Sequence, residues 1–177
     1  MLKKISSRIN LEDGYAIESF GGINDAYYLT TPQNVIKCSS QSEAEEWYIK
    51  LRVKEQYFSI IDSFFEHLDQ LPEVSICIPL NWKWELEQCY EFGFCNYFLH
   101  DAYLEYIHNS CSRAYKALHN WKQGHKGLAD FEIDEMCEIL NQLIELVCEY
   151  CELMETIKAE TSSGDFIEEG NQVPENV

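Results

Sequence analysis

Carboxylates are the residues of this sequence with the clearest potential for chemistry, and they are concentrated between residues 130 and 160. On a helix, seven of them would form one outer face: Asp134, Glu135, Glu138, Glu145, Glu149, Glu152 and Glu155. From residue 138 onward they would be spaced about 5–10 Å apart, at a rise of about 1.5 Å per residue. This range is comparable with the spacing of successive phosphates along one nucleic-acid strand. The pattern predicts a surface that can occupy a Lys/Arg groove built for nucleic acid, with an ordinary solvated helix face as the alternative.

The net charge of the chain is strongly negative and unevenly distributed. The formal charge is −18, and residues 128–177 carry 1 Lys/Arg against 14 Asp/Glu, whereas residues 1–127 carry 12 against 17. Such a field repels nucleic acid and anionic membranes, and it attracts a basic partner. We therefore expect no direct binding of nucleic acid or of a membrane. Solubility alone is the other use of this charge.

The eight cysteines do not form a pattern that predicts a metal centre. Cys148 and Cys151 have a C-x-x-C spacing but lie within a helical pattern, and no second pair at comparable spacing accompanies them. Cys89, Cys95 and His100 are irregularly spaced. The sequence has neither a secretory signal nor a run of about 18 apolar residues. We expect reduced thiols in a cytoplasmic protein, with no metal and no cofactor.

The acidic residues are positioned by a strong amphipathic pattern over residues 130–160. Its apolar seam alternates steps of four and three: Ile133, Cys137, Leu140, Ile144, Val147, Cys151 and Met154. A second helix is predicted over residues 97–123, and the two are separated by the glycine-containing break at 124–127. Residues 97–160 therefore predict an antiparallel helical hairpin.

The N-terminal part of the sequence predicts a small sheet. Three short stretches are rich in strand-forming residues and are separated by turn residues: Tyr15–Phe20, Ala26–Thr31 and Val35–Cys38. They predict a three-stranded antiparallel meander. Residues 1–13 are interpreted as a mobile or loosely docked lead-in.

A long helix is predicted to follow the sheet, from a capping box at Ser42-x-x-Glu45 to about Leu71, just before Pro72. The apolar run Val74–Leu80 predicts a short strand, and Trp82–Phe94 is interpreted as a further strand and connector. The predicted fold is thus α+β, with the sheet packed on the long helix. Residues 1–160 would form one domain, divided into 14–96 and 97–160, and residues 161–177 would form a disordered acidic tail.

One arrangement in the N-terminal half resembles the nucleotide-binding lobe of aminoglycoside- and choline-kinase-like phosphotransferases, over residues 14–51. In that family a glycine turn covers the phosphates, and a strand lysine holds them and pairs with a helix glutamate. The matching positions are Gly21 and Gly22, Lys37, and Glu45 or Glu46. A Gly-Asp at residues 164–165 also resembles the catalytic motif of that family, but the second metal-binding Asp has no counterpart. The resemblance implies a truncated, inactive kinase-like nucleotide-binding protein.

No nucleophile elbow or catalytic-cysteine signature is present, so the leading hypothesis is a non-enzymatic protein. It would inhibit a basic, nucleic-acid-acting partner, such as a nuclease. Toxin-immunity proteins and phage anti-defence inhibitors of the nucleic-acid-mimic kind, including anti-CRISPR proteins, are similar in size and charge. A third hypothesis is a subunit or chaperone-like protein whose acidity serves only solubility. If the acidic face is not used, the aromatic residues Trp82, Trp84 and Tyr90 would be the next candidate interface.

Overall fold

The computed structural model describes residues 5–21, 26–95, 100–125 and 130–164, and it confirms the α+β class. Four strands precede five helices in these ranges. The elements are β1 (Ile5–Asn10), β2 (Ala16–Phe20), β3 (Ala26–Thr30), β4 (Val35–Cys38), α1 (Gln41–Asp69), α2 (Pro72–Ser75), α3 (Trp82–Cys95), α4 (His100–Gly124) and α5 (Asp130–Gly164).

The strands form one antiparallel sheet in the order β1-β2-β3-β4. The predicted meander of β2, β3 and β4 is confirmed, but the prediction of a loose lead-in is wrong over Ile5–Asn10, because this segment is β1. Two side-chain contacts hold β1 in register with β2. Arg8 Nη1 donates to Glu18 Oε1 at 2.8 Å, and the Ser7 and Ser19 hydroxyls are 2.8 Å apart. These cross-strand side-chain pairs contribute to the stability of β1.

The N-terminal end of α1 is capped by residues slightly earlier than the sequence predicted. Ser40 Oγ accepts a hydrogen bond from the Glu43 backbone N–H at 3.1 Å, and Glu43 Oε2 accepts one from the Ser39 backbone N–H at 2.6 Å. This is the reciprocal geometry of a capping box. It begins the helix at Gln41 and makes Ser39 and Ser40, and not Ser42, the capping residues.

Helix α1 packs on α3 through a cluster of aromatic rings. Tyr57 of α1 is fully buried, and its hydroxyl donates to the Leu86 carbonyl at 2.7 Å. Its ring centroid lies 5.4 Å from that of Tyr90 and 5.2 Å from that of Phe94. The buried side of α1 therefore runs through Tyr57, whereas Trp47 is 41% exposed.

The two strands predicted between residues 74 and 94 do not form. The run Val74–Leu80 begins inside α2, where Pro72 occupies the first helical turn, and continues as turns. The segment Trp82–Phe94 lies within α3. Its buried apolar residues follow a helical period, since Trp82, Leu86, Tyr90 and Phe94 recur at steps of four and Cys89 follows Leu86 by three. Aromatic content favoured a strand, but the spacing of the apolar residues favours the helix that forms.

The two C-terminal helices are confirmed as α4 and α5. The seam of α5 is buried at Ile133, Leu140 and Val147 and partly buried at Ile144. Tyr150, also fully buried, donates a hydrogen bond to the Phe94 carbonyl at 3.3 Å. Helix α5 continues to Gly164, past the residue at which a disordered tail was predicted to begin. The remainder of that predicted tail, residues 165–177, lies outside the described residues.

The chain divides into two compact units. The first comprises Met1–Glu46 with Cys151–Val177, and the second comprises Trp47–Tyr150. Helices α1 and α5 each pass from one unit to the other without interruption. The organisation of residues 1–160 as a single domain stays a prediction. In the described ranges, no helix is long and apolar enough to cross a membrane.

Candidate functional site

Helix α5 presents its carboxylates on the side opposite its buried seam. Within the second unit, the five acidic residues predicted from the sequence are all exposed: Asp134, Glu135, Glu138, Glu145 and Glu149. Their exposure follows from the amphipathic period, since burial of the apolar residues leaves the intervening positions in water. Glu152 and Glu155 are also exposed, on the part of α5 that belongs to the first unit.

Two of these carboxylates have basic neighbours, both near the start of α5. Asp134 forms an ion pair with Lys122 of α4 at 2.5 Å, and this hydrogen bond raises the pKa of the Lys122 ammonium. Glu135 Oε2 lies 3.4 Å from His67 Nε2 at the end of α1. These contacts tie the N-terminal end of α5 to the C-terminal ends of α4 and α1.

Three of the remaining carboxylates have no basic neighbour within ion-pair distance among the described side chains. Among the described side chains, none forms an ion pair or a side-chain hydrogen bond with Glu138, Glu145 or Glu149. Glu145 and Glu149 lie one helical turn apart on the same face, where like charges repel each other. These three carboxylates are therefore fully available to a cationic ligand.

Helix α1 adds the Glu55 carboxylate, which was not among the residues predicted from the sequence. An open groove of about 560 Å³ lies between α1 and α5 and is lined by Glu55, Gln56, Ser59, Ile60, Gln142, Glu145, Leu146 and Glu149. The His67–Glu135 contact and this groove together show that the two helices run antiparallel inside the second unit. The outward position of Glu55 could be inferred from helical spacing, but its position beside α5 depends on the tertiary fold.

The residues of the kinase-like resemblance lie in the first unit. Gly21 is exposed after β2, Lys37 is exposed on β4, and Gly22 lies outside the described residues. Glu45 accepts a hydrogen bond from Gln41 Nε2 at 2.8 Å. In the part of the chain that the structure describes, Lys37 forms no ion pair with Glu45. The kinase-like relationship stays a prediction.

The buried thiols are held in their protonated form. Burial raises the pKa of Cys111 to about 12, and the pKa values of Cys89 and Cys137 to about 11. A thiol with such a pKa is a poor nucleophile at neutral pH, because the thiolate is the reactive species. The seven cysteines whose side chains the structure describes form no disulfide, and Cys148 is exposed. Within the described ranges, no three His, Cys, Asp or Glu side chains lie close enough together to hold a metal ion.

The prediction that Trp82, Trp84 and Tyr90 form an alternative interface is wrong for two of these three residues. Trp82 is 2% exposed and Tyr90 is 4% exposed, so both belong to the core, whereas Trp84 is 61% exposed. Ile76 and Leu80, which precede α3, are also largely exposed. Any apolar contact surface in this region would therefore involve Trp84 with these two aliphatic residues.

The carboxylates of α1 and α5 are suited to binding cations, since an ionised carboxylate accepts several hydrogen bonds and pairs most strongly with charged donors. Comparisons of the chain with protein-family models, with curated proteins and with solved structures found no match.

Proposed function

We propose that this protein is a non-enzymatic acidic binding protein that inhibits a basic, nucleic-acid-acting partner. The partner would be a nuclease or a nucleic-acid-binding effector, and the acidic face of α5 would occupy its Lys/Arg groove. The observation that carries the proposal is the set of exposed carboxylates at Glu138, Glu145 and Glu149, which have no cationic neighbour among the described side chains.

The spacing of these carboxylates supports the proposal. At a rise of about 1.5 Å per residue, Glu138 and Glu145 are separated by about 10 Å along α5, and Glu145 and Glu149 by about 6 Å. A basic groove that binds a nucleic-acid strand can meet charges at such intervals, because it places its cations to match successive phosphates. The surrounding negative field would also accelerate the encounter with a basic protein.

Repulsion between the carboxylates of α5 lowers the stability of the helix, so their retention supports a functional role. Carboxylates one turn apart on a helix destabilise it by a few tenths of a kcal/mol per pair. An ordinary solvated face lowers this cost by mixing both signs of charge. Here the described contacts of this face with basic side chains lie at the start of α5, where Lys122 and His67 neighbour Asp134 and Glu135, while Lys158 is exposed towards its other end. Glu138, Glu145 and Glu149 keep their charge available to a partner.

Proteins of the toxin-immunity kind and phage anti-defence inhibitors, such as anti-CRISPR proteins that mimic nucleic acid, act in this way. The proposal places the protein in the cytoplasm, in contact with neither nucleic acid nor membrane, and it requires no cofactor. Inhibition would be competitive with nucleic acid, because both would occupy the same basic groove.

The test begins with capture of the partner from the native host by a tagged form of the protein, followed by its identification. A variant in which Glu138, Glu145, Glu149 and Glu152 are replaced by Gln keeps helix propensity and approximate size while removing four charges. We expect this variant to inhibit the identified partner less well and to show a weaker dependence on salt, since screening acts within about 8 Å at physiological ionic strength.

A matched control removes four exposed carboxylates from other elements, by Gln replacement at Glu12, Glu73, Glu91 and Glu105. The control has the same net charge as the four-residue α5 variant. Comparing the two therefore distinguishes an effect of the acidic face from a general effect of net charge. Equal affinity and equal salt dependence of the parent and the α5 variant would refute the proposed function. Capture of an acidic partner would refute it as well.

A further inference from the structure

The groove between α1 and α5 differs from the rest of the acidic face because it is concave and has apolar walls. Leu146 is 8% exposed and Ile60 is partly buried, whereas Glu55, Glu145 and Glu149 are exposed. The aliphatic side chains therefore lie deeper than the carboxylates. One carboxylate comes from α1 and two come from α5, so both sides of the groove are negative.

The groove contains no cation of its own. None of its eight lining residues is Lys, Arg or His; the uncharged polar ones are Gln56, Ser59 and Gln142. In the described part of the chain, Glu55, Glu145 and Glu149 form no ion pair with another side chain. The charge of the groove is thus compensated only by solvent, which leaves it complementary to a cationic ligand.

An apolar interior bordered by separated carboxylates fits arginine better than it fits lysine. The arginine stem packs on aliphatic side chains, and its planar guanidinium is weakly hydrated and donates five N–H groups in a fixed geometry. It can contact a carboxylate through two parallel hydrogen bonds. The lysine ammonium is a compact and strongly hydrated charge, which loses more on leaving water beside Leu146 and Ile60.

We infer that the α1–α5 groove receives one or two arginine side chains from a segment of the partner protein. The inference rests on the proposed function and narrows it to the surface lined by Glu55, Glu145 and Glu149. The number of arginine side chains follows from the length of the groove. Its lining residues span about two helical turns, or roughly 10 Å at about 1.5 Å per residue, which accommodates arginines on successive turns of a helix.

The experiment uses the full chain and a defined probe. The probe is a fluorescein-labelled, alanine-based helical peptide with arginines four residues apart, and a second peptide has lysine at the same positions. The groove variant carries Gln at Glu55, Glu145 and Glu149. Its control carries Gln at Glu73, Glu91 and Glu105, which are exposed on α2, α3 and α4, so the two variants have equal net charge.

We expect the groove variant to bind the arginine peptide about tenfold more weakly than the parent does, equivalent to about 1.4 kcal/mol, as measured by fluorescence anisotropy. The control should bind within about twofold of the parent, a difference of about 0.4 kcal/mol. The lysine peptide should bind the parent more weakly than the arginine peptide. The side-chain amide signals of Gln56 and Gln142 should shift in NMR spectra of the parent on addition of the arginine peptide. Melting temperatures within a few degrees of the parent would show that both variants are folded.

Three results would overturn the groove inference: no binding of the arginine peptide by the parent, equal losses in the groove and control variants, or equal affinity for the lysine peptide. Each leaves the proposed function to be decided by its own test, the inhibition of the captured partner. Conversely, loss of peptide binding in the groove variant together with capture of an acidic partner would refute the proposed function and retain the arginine-binding groove.

Discussion

Replacing Tyr57 with Phe tests the packing of α1 on α3 through a single hydroxyl group. The Tyr57 side chain is 0% exposed, and its hydroxyl donates to the Leu86 carbonyl at 2.7 Å. Phe keeps the ring contacts with Tyr90 and Phe94. A net contribution of about 0.5–1.5 kcal/mol per hydrogen bond predicts that the variant loses about 1 kcal/mol of unfolding free energy at pH 7.

The same substitution should have the opposite effect at high pH. Burial, followed by the neighbouring Cys111 and Cys89 thiols, raises the pKa of Tyr57 well above its ordinary value of 10.0. As the pH rises through 10, this tyrosine loses its proton in the unfolded chain but keeps it in the folded protein, so the parent becomes less stable. At pH 11 this ionisation stabilises the unfolded parent by about 1.4 kcal/mol. The variant has no hydroxyl at this position, so the two stabilities should become equal between about pH 10 and pH 11.

The assay is urea unfolding followed by tryptophan fluorescence at pH 7, 10 and 11, with a reductant that keeps the thiols reduced. The other tyrosines and the cysteines ionise in both proteins, so their contributions cancel in the difference between the two unfolding free energies. A difference that stays the same from pH 7 to pH 11 would show that Tyr57 ionises equally in the folded and unfolded states. That result would contradict the buried hydroxyl and the packing described for α1 and α3.

Three further predictions concern α3, the thiols and the kinase-like resemblance. In the Gly93→Ala variant the added Cβ would lie 3.0 Å from Tyr103 Cβ, which overpacks the contact. The variant should lose about 1 kcal/mol of unfolding free energy, because an overpacking penalty of about 1–3 kcal/mol exceeds the gain in helix propensity. Thermal unfolding measures the effect. Iodoacetamide at pH 8 should alkylate exposed Cys148 much faster than Cys111, because burial raises the pKa of Cys111 to about 12. Peptide mass spectrometry gives both alkylation rates. Equal rates would contradict the burial of Cys111. ATP with magnesium should leave the melting temperature unchanged, whereas a rise that is abolished by Lys37→Ala would establish nucleotide binding.

The long helices could be predicted from the sequence because their apolar residues repeat with a clear period. The buried seam of α5, from Ile133 to Val147, fixes its acidic residues on the outer side before any tertiary contact is known. The same period is present in α3, since Trp82, Leu86 and Tyr90 are spaced by four residues. The error there came from weighting aromatic content above spacing.

Strand β1 and the groove could not be predicted in this way, because both depend on partners distant in sequence. Ile5–Asn10 has few apolar residues, and its stability comes from backbone pairing with β2 and from the contact between Arg8 and Glu18. Likewise, Glu55 and Glu145 become neighbours only when α1 and α5 run antiparallel in the second unit. The carboxylates of α5 were predicted, but the concave shape that selects among cationic ligands was not.

The passage of α1 and α5 between the two compact units has a consequence for biosynthesis. The first unit is discontinuous in sequence, since it combines Met1–Glu46 with residues that follow Tyr150. During translation its sheet leaves the ribosome first, but the end of α5 leaves it only after the whole second unit has been made. The unit encoded in the middle of the chain can therefore complete its folding before the first unit does, and the nascent sheet has to keep its edge strands β1 and β4 from pairing with other chains.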